Sequence, residues 1–224
     1  MSRAPRTEAP APQGWRDYAP LELDPVLSGA LSAFHEHGYH GTTVRDIARR
    51  VGVTVPALYY HYENKQALLV ALLDRLMRDV LDRCRAATSD AGDDPVERFS
   101  LLVESIVLYM ANRRKLAFLD TEIRSLEPEN HARYVALRDY LEHTLVDTVV
   151  DGVEKHAFST PYPADACRAV LAMCQGVANW YRPGGPLTPT EIARRYVDFC
   201  LGTVGYTGPP RAAARPARGR TRKA

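Results

Sequence analysis

The chain is short of the residues that mark metal, redox and membrane proteins. It has four cysteines in 224 residues, and no two of them form a CxxC pair. The common zinc-site and thioredoxin-like patterns are therefore excluded. The sequence has no run of about 18 apolar residues and no signal-peptide pattern. We expect a cytoplasmic protein with no metal, no cofactor and no membrane partner.

An excess of charge of one sign is also missing. The formal net charge is +2, and residues 21–67 hold four Lys and Arg against five Asp and Glu. Bulk charge therefore gives no reason to expect nucleic-acid binding, so such binding must be argued from geometry. The sequence also lacks the GxSxG, HExxH, P-loop and dinucleotide-binding motifs, which argues against an enzyme.

Residues 41–69 have the pattern of a helix–turn–helix. Thr43 and Asp46 are spaced as a capping box that begins the first short helix. Gly52 supplies a tight turn, and Thr54 is placed to cap the second short helix. Two short helices held at a fixed angle are a common device for placing one of them in the major groove of DNA.

The outward face of the predicted second helix carries small residues followed by tyrosines, with no Lys or Arg. Small side chains let a helix approach base edges closely, and tyrosine hydroxyls can donate to phosphates. Lys65 opens the next helix, where its ammonium and the free backbone N–H groups would face a phosphate. The alternative is an apolar patch packed on a partner domain.

This stretch closely resembles the DNA-binding domain of the TetR/AcrR family of bacterial transcription regulators. The residues that carry the resemblance are Phe34, Gly38, Tyr39, 42–48, 52–53, 58–62, Lys65 and 68–69. It implies a three-helix DNA-binding domain at 21–67 and a helical ligand-binding and dimerisation domain at 68–206. The implied DNA contacts are Thr42, Thr43, Arg45, Thr54, Val55, Ala57, Tyr59, Tyr60, His61 and Lys65.

The base-reading part of this set departs from what direct readout needs. Val55 and Ala57 carry no hydrogen-bonding side chain. We therefore expect the choice of operator to depend on Arg45, on methyl contacts and on DNA shape.

The rest of the chain predicts an all-α fold, because no stretch shows sustained strand alternation. A long helix is expected over 65–86, followed by a loop at 88–94. Further helices are predicted at 95–112, 114–125, 128–156, 164–181 and 189–205. The resemblance implies that the last two pack against a symmetry mate as a four-helix bundle, which makes a homodimer.

Tyrosines mixed with polar residues in the apolar stripes of these helices favour a cavity for an amphipathic ligand with one polar or anionic group. For each of them, plain core packing is the alternative. The candidates are Tyr109, Arg113, Phe118, Glu122, Tyr134, Leu137, Arg138, Leu141, Met173, Val177 and Trp180.

Residues 176–199 are similar to the C-terminal part of family members that sense acyl-CoA thioesters or related lipid, steroid or aromatic breakdown products. A helix pair that only builds the dimer is the alternative. The resemblance implies a dimeric repressor on a palindromic operator, released by a small molecule such as an acyl-CoA. Two other hypotheses remain: a helical interaction protein without DNA binding, and an all-helical enzyme.

Both ends of the chain are predicted to be disordered. Residues 1–20 contain little apolar periodicity, and Arg3, Arg6 and Arg16 could form a basic arm that reaches a minor groove. Residues 207–224 form a basic tail that could add nonspecific attraction to DNA. Its cations are Arg211, Arg215, Arg218, Arg220, Arg222 and Lys223. A solvated tail is the alternative at each end.

Overall fold

The computed structural model describes residues 14–209, and within them it contains helices and no strands, so the prediction of an all-α fold is confirmed. A 3-10 segment, Leu119–Ser125, lies between α6 and α7. The α-helices are α1 Pro25–His37, α2 Val44–Val51, α3 Val55–His61, α4 Lys65–Ala91, α5 Pro95–Asn112, α6 Arg114–Phe118, α7 Pro128–Glu154, α8 Pro163–Trp180 and α9 Pro189–Thr203.

Short local signals set where several helices begin. The Asp24 carboxylate accepts hydrogen bonds from the backbone N–H groups of Val26 and Leu27, both at 3.0 Å. A proline follows this cap at the first helical position, where its missing N–H costs nothing. The capping box of Thr43 and Asp46 is also formed. These starts lie where the sequence predicts them.

Helices α1, α2 and α3, here called the head, pack around a small apolar centre. Phe34, Ile47 and Leu58, one from each helix, have no exposed surface. Gly52 ends α2 in the left-handed conformation, with φ of 73° and ψ of 26°, which a glycine adopts without steric cost. The turn between α2 and α3 therefore depends on this glycine.

Helices α4 to α9 form the core domain, with α5 at its centre. Thirteen of the 18 residues of α5 are buried, and helices α4, α7, α8 and α9 all pack against it. A helix that is apolar on nearly every side must be covered on every side. Helix α4 runs without a break from the head into the core domain, across the domain boundary predicted at 67–68.

Two predicted boundaries in the core domain are wrong. Helix α4 continues to Ala91, so most of the loop predicted at 88–94 is helical. The last turns are held in place by the burial of Ala87 and by a hydrogen bond from Trp15 to Asp90. The helix predicted at 114–125 is a short α-helix followed by the 3-10 segment.

The predicted disordered arm is wrong for residues 14–20, which pack on the core domain. Trp15 is only 4% exposed, and its indole N–H donates to Asp90 Oδ2 at 2.8 Å. The Arg16 guanidinium is held by two hydrogen bonds to Glu104, so it does not extend toward a groove. Arg3, Arg6 and the six cations of the predicted basic tail lie outside the described residues.

Two further features concern residues 14–209 as a whole. None of their helices combines the length and apolarity needed to cross a membrane. All four cysteines are free and buried.

Candidate nucleic-acid interface and ligand cavity

The surface predicted to contact DNA is centred on α3. The Thr54 hydroxyl accepts a hydrogen bond from the Ala57 backbone N–H at 3.3 Å, while Leu58 fixes the opposite side of the helix in the head. Val55 is half-buried against neighbouring apolar residues. The exposed predicted contacts of this helix and its cap are Thr54, Ala57, Tyr59, Tyr60 and His61. The structure thus places small groups and two tyrosines on one accessible surface.

Arg45 differs from the other two arginines of α2. Arg49 is paired with Asp46, and Arg50 makes two hydrogen bonds with Glu36. Arg45 is exposed, and no residue within 14–209 binds its guanidinium. Its charge is therefore available to an external partner, because no carboxylate of the described residues competes for it.

Thr43 serves the structure of α2 and is also exposed. Its hydroxyl and its backbone N–H both donate to Asp46 Oδ2, and these bonds lower the pKa of the Asp46 carboxyl. The capping box therefore stays formed at every pH at which the Asp46 carboxylate is ionised.

Thr42, one of the predicted DNA contacts, has its side chain buried in the head. Thr42 is 1% exposed, and its hydroxyl donates to the backbone carbonyls of Ala33, at 3.1 Å, and Gly38, at 2.8 Å. It ties the end of α1 to the loop that precedes α2. The Thr42 side chain therefore stabilises the shape of the head.

This placement of Thr42 gives a testable prediction. We expect Thr42→Val to lower the free energy of unfolding by about 1–3 kcal/mol, because it leaves buried carbonyls without their donor. Thr42→Ser keeps the hydroxyl and is the matched control. Thermal or urea unfolding of the two variants checks this, and equal stability of Thr42→Val and wild type would contradict it.

The Lys65 ammonium, predicted to face a phosphate, is bound within the head in this structure, and its phosphate contact stays a prediction. Nζ donates to the backbone carbonyls of Tyr39 and Thr42, both at 2.9 Å. It also lies 4.2 Å from the centre of the Tyr39 ring. Partial burial lowers the pKa of Lys65. Lys65 therefore joins the start of α4 to the head, because its ammonium contacts two backbone carbonyls and an aromatic ring there.

A cavity of about 600 Å³ lies in the core domain, between α4, α5, α6, the 3-10 segment, α7 and α8. Its apolar wall includes Leu76, Met77 and Val80 of α4, Met110 of α5 and Leu171 of α8. This volume lies within the range of about 300–1,000 Å³ typical of small-molecule sites. The cavity is therefore large enough for a small organic ligand.

Charged groups lie at one side of this cavity. Tyr134 Oη donates to Asp120 Oδ1 at 2.8 Å, and the Arg138 guanidinium lies 3.9 Å from the same carboxylate oxygen. Arg168 pairs more closely with Glu142, at 3.2 Å. Burial, with a smaller contribution from Asp120, raises the pKa of Tyr134. Tyr134 is thus a neutral donor, and Arg138 is the more loosely paired of the two arginines.

Four of the predicted ligand residues line the cavity, and seven do not. Those that do are Phe118, Tyr134, Arg138 and Leu141. Those that do not are Tyr109, Arg113, Glu122, Leu137, Met173, Val177 and Trp180.

The five uncharged residues among these seven have other partners. Tyr109 and Val177 are fully buried, and Leu137 and Met173 pack against buried apolar side chains. Trp180 is 49% exposed and stacks on Tyr196 of α9.

The two charged residues among the seven are engaged elsewhere. Arg113 donates to the Ala19 carbonyl at 2.8 Å. Glu122 accepts a hydrogen bond from the Tyr39 backbone N–H of the head at 3.1 Å. Neither is available to a ligand in the cavity, because each joins the core domain to the segment or helices that precede α4.

The polar wall formed by α8 was not among the sequence predictions. Arg168, Gln175 and Asn179 line the cavity, together with Leu171 and Gly176 of the same helix. Their spacing of four or seven residues places them on one helical face. That spacing could have indicated the cavity face of α8. Apolar residues on the other faces of the helix, such as Met173 and Val177, fit a buried face equally well.

The cavity wall also contacts the head directly. Phe118 lines the cavity, and its ring stacks on His35 of α1 with centroids 5.2 Å apart. Seven residues further on, Ser125 Oγ lies 3.1 Å from His40 Nε2, and the Ser125 carbonyl accepts a hydrogen bond from Gln66 of α4.

Among the described residues, no group of three or more His, Cys, Asp or Glu side chains could hold a metal ion.

Comparison with known proteins gives two family matches. Residues 26–72 match the family described as bacterial regulatory proteins, tetR family. Residues 92–204 match the family described as tetracyclin repressor-like, C-terminal domain. The first match covers the head and the start of α4, and the second covers most of the core domain.

Individual relatives agree with these matches. The chain is 29% identical over 189 residues to the HTH-type transcriptional repressor KstR2 of Mycobacterium tuberculosis, covering 82% of this chain and 92% of that protein. The crystal structure of PfmR from Thermus thermophilus has a TM-score of 0.70 and 33% identity, covering 80% of this chain and 98% of that one.

A third neighbour shows the fold alone. AibR, in complex with isovaleryl coenzyme A and operator DNA, has a TM-score of 0.71 and 23% identity, covering 78% of this chain and 95% of that one. These relatives are transcriptional regulators and not enzymes. The chain therefore belongs to the TetR family of bacterial transcriptional regulators.

Proposed function

We propose that this protein is a homodimeric repressor that leaves a palindromic operator when a small amphipathic molecule fills the core cavity. The observation that carries the proposal is the position of Phe118. Its side chain lines the cavity and stacks on His35 of the head. A ligand that displaces this side chain breaks its stacking contact with the head.

The DNA contacts of the proposal are the exposed residues around α3 together with Arg45. Tyr60 is 86% exposed and Tyr59 48% exposed, and their hydroxyls can reach phosphates as the helix enters the major groove. Arg45 supplies an unpaired cation beside them. Each head therefore offers few charged contacts, so two heads are needed for tight binding.

The proposed dimer surface is the outer face of α8 and α9. Trp180 and Phe199 are 49% and 62% exposed. Tyr196 lies between them, with ring centroids 6.3 Å from Trp180 and 6.1 Å from Phe199. Exposed aromatic clusters of this kind are enriched at protein interfaces. A two-fold axis through this face would place two heads on successive half-sites of a palindrome.

The proposed effector has an apolar body and one anionic group. The cavity is apolar along α4 and has Arg138 and Arg168 on its charged side. Three carboxylates, Asp120, Asp139 and Glu142, line that side as well, so an anion must displace one of them from its arginine. Arg138 is the easier to recruit, because its distance to Asp120 is 3.9 Å.

Among such molecules we propose an acyl-CoA thioester. The structural neighbour AibR was solved with isovaleryl coenzyme A and operator DNA. An acyl chain suits the apolar wall, and the phosphates of coenzyme A suit arginines at the edge of the cavity. Short and long acyl-CoA probes, compared with coenzyme A and the free acids, distinguish this class from simple anions.

A gel shift tests the proposed function. The DNA is a labelled duplex from the promoter beside the protein's own gene, and isovaleryl-CoA and longer acyl-CoA probes are added to the complex. We expect a dimer complex at low salt that acyl-CoA dissociates and coenzyme A alone does not. Failure to bind this DNA, or binding that no acyl-CoA changes, would contradict the operator or the effector class respectively.

Two arginines on α2 allow a matched test of the DNA surface. We expect Arg45→Ala to weaken operator binding by about 1–3 kcal/mol for each head, the range for an arginine that reads a base. Arg49→Ala should have a much smaller effect, because that side chain is already paired with Asp46. Fluorescence anisotropy at fixed salt measures both, and equal losses would contradict the special role of Arg45.

A further inference from the structure

Residues 14–20, here called the N-terminal strap, cross the core domain before the head begins. Trp15 is buried and donates to Asp90 near the end of α4. Arg16 makes two hydrogen bonds with Glu104 of α5, at 2.7 and 2.8 Å. The strap is therefore fixed to two helices that form the framework of the core domain.

A buried arginine holds the middle of the strap. The Arg83 side chain is 4% exposed, and Nη1 donates to the backbone carbonyls of Trp15, at 2.8 Å, and Asp17, at 3.0 Å. Its guanidinium lies 3.9 Å from the centre of the Tyr18 ring. Nε donates to Asp79 at 2.9 Å. Several donors of this buried cation are thus used to bind the strap and α4 together.

Arg113 holds the last part of the strap at a junction between helices. It ends α5 and directly precedes α6. Nη2 donates to the Ala19 carbonyl at 2.8 Å, and Nε lies 3.6 Å from Asp79 Oδ2 of α4. Four residues later the chain reaches Ala117 and Phe118, which line the cavity. One guanidinium therefore joins the cavity-wall helix, α4 and the strap.

The other end of the strap leads to the DNA-contact surface. Five residues after Ala19, the Asp24 carboxylate caps α1. Its second oxygen accepts a hydrogen bond from Tyr62 Oη at 2.7 Å, and Tyr62 is the residue that ends α3. Asp24 therefore fixes the start of α1 and the end of the helix proposed to enter the groove.

We propose that the N-terminal strap is a further connection between the cavity and the head, besides α4 and the direct contacts of Phe118 and Ser125, and that Arg113 is its positioning residue. The inference rests on the proposed function. A shift of α6 moves Arg113, and the Ala19 carbonyl that it holds moves the short segment that ends at Asp24. Demonstrated coupling, rather than proximity, is what establishes such a connection.

The test compares Arg113→Ala with wild type and with Arg85→Ala. Arg85 is an exposed arginine of α4 that, within residues 14–209, pairs with no carboxylate other than Asp82, so it serves as the matched control. The coupling factor is the operator Kd with saturating isovaleryl-CoA, or the most active acyl-CoA found, divided by the operator Kd without it. Coupling factors of about 5–150 are typical of allosteric proteins.

We expect the coupling factor to fall below about 3 in Arg113→Ala and to stay at the wild-type value in Arg85→Ala. The Kd of the acyl-CoA for each variant without DNA should be unchanged, because Arg113 does not line the cavity. An unchanged coupling factor in a folded Arg113→Ala would overturn the role of the strap while leaving the proposed function intact.

A second measurement tests the inference if Arg113→Ala folds poorly, or if no acyl-CoA probe releases the wild-type protein from its operator. Hydrogen–deuterium exchange of residues 14–20 in the wild-type protein reports on the strap without any substitution. We expect operator binding to change the exchange rate of this segment. Equal exchange with and without bound operator would overturn the inference, whereas absence of any DNA binding would overturn the proposed function and the inference together.

Discussion

Gly176→Phe is expected to give a repressor that binds its operator but no longer responds to effector. Gly176 lies on α8 and lines the cavity, and a Cβ atom placed there would meet no heavy atom within 4 Å. A phenyl group can therefore enter space that the effector needs. Overfilling a packed site costs about 1–3 kcal/mol, so the effector Kd should rise by about 5- to 150-fold.

The matched control for this prediction is Gly176→Ala. A methyl group leaves most of the cavity open, and alanine favours the helix over glycine by about 1 kcal/mol. This variant should be slightly more stable and should still be released from the operator. Effector titrations of the preformed complex compare the two. Normal release of Gly176→Phe, or equal loss of response in Gly176→Ala, would argue against effector binding in this cavity.

Phe199→Arg is expected to abolish tight operator binding by breaking the dimer. Phe199 is 62% exposed at the end of the aromatic cluster on α9. In a two-fold interface the substituted face meets itself, so the variant brings two arginines together. Linking two heads raises the apparent affinity by about 10²- to 10⁴-fold, and a monomer should lose that factor.

The control for the dimer prediction is Tyr140→Arg. Tyr140 is also an exposed aromatic residue, at 51%, but it lies on α7, which is not one of the two helices of the proposed interface. Light scattering and a gel shift on both variants test the prediction. A dimeric Phe199→Arg, or one that binds the operator as tightly as wild type, would place the interface elsewhere.

The head was largely predictable because its signals are local. The capping box of Thr43 and Asp46, the left-handed Gly52 and the Thr54 cap each depend on neighbours within a few residues. The inward orientation of Thr42 and Lys65 was not predictable, because their polar groups are bound by backbone carbonyls of another helix or loop. A sequence motif reports that such a residue matters but not whether it faces outward.

The cavity was only partly predictable, because α8 has more than one face that could line it. Met173 and Val177 fit an apolar stripe as well as the cavity-lining Leu171 and Ala178 do. Only the packing of α8 against α5 and α7 decides which stripe faces the cavity. Side chains that reach across the fold are harder still. Arg113 binds a carbonyl 94 positions away, and no periodicity encodes that contact.

The N-terminal strap shows where compositional reasoning failed. Residues 1–20 are rich in proline and poor in apolar periodicity, which is typical of disorder. A single buried tryptophan, together with the carbonyl contacts of Arg83, is enough to fix residues 14–20 on the core domain. One large aromatic side chain outweighs the local average, because its burial is favourable whatever its neighbours prefer.

The most direct test of ligand-controlled DNA binding measures the coupling from both ends. One titration gives the operator Kd of the wild-type dimer with and without saturating acyl-CoA. The other gives the acyl-CoA Kd with and without saturating operator. Because coupling is reciprocal, we expect the same factor from both titrations, at or above about 5. Tight operator binding with a factor of one in both directions would contradict release by a ligand of this class.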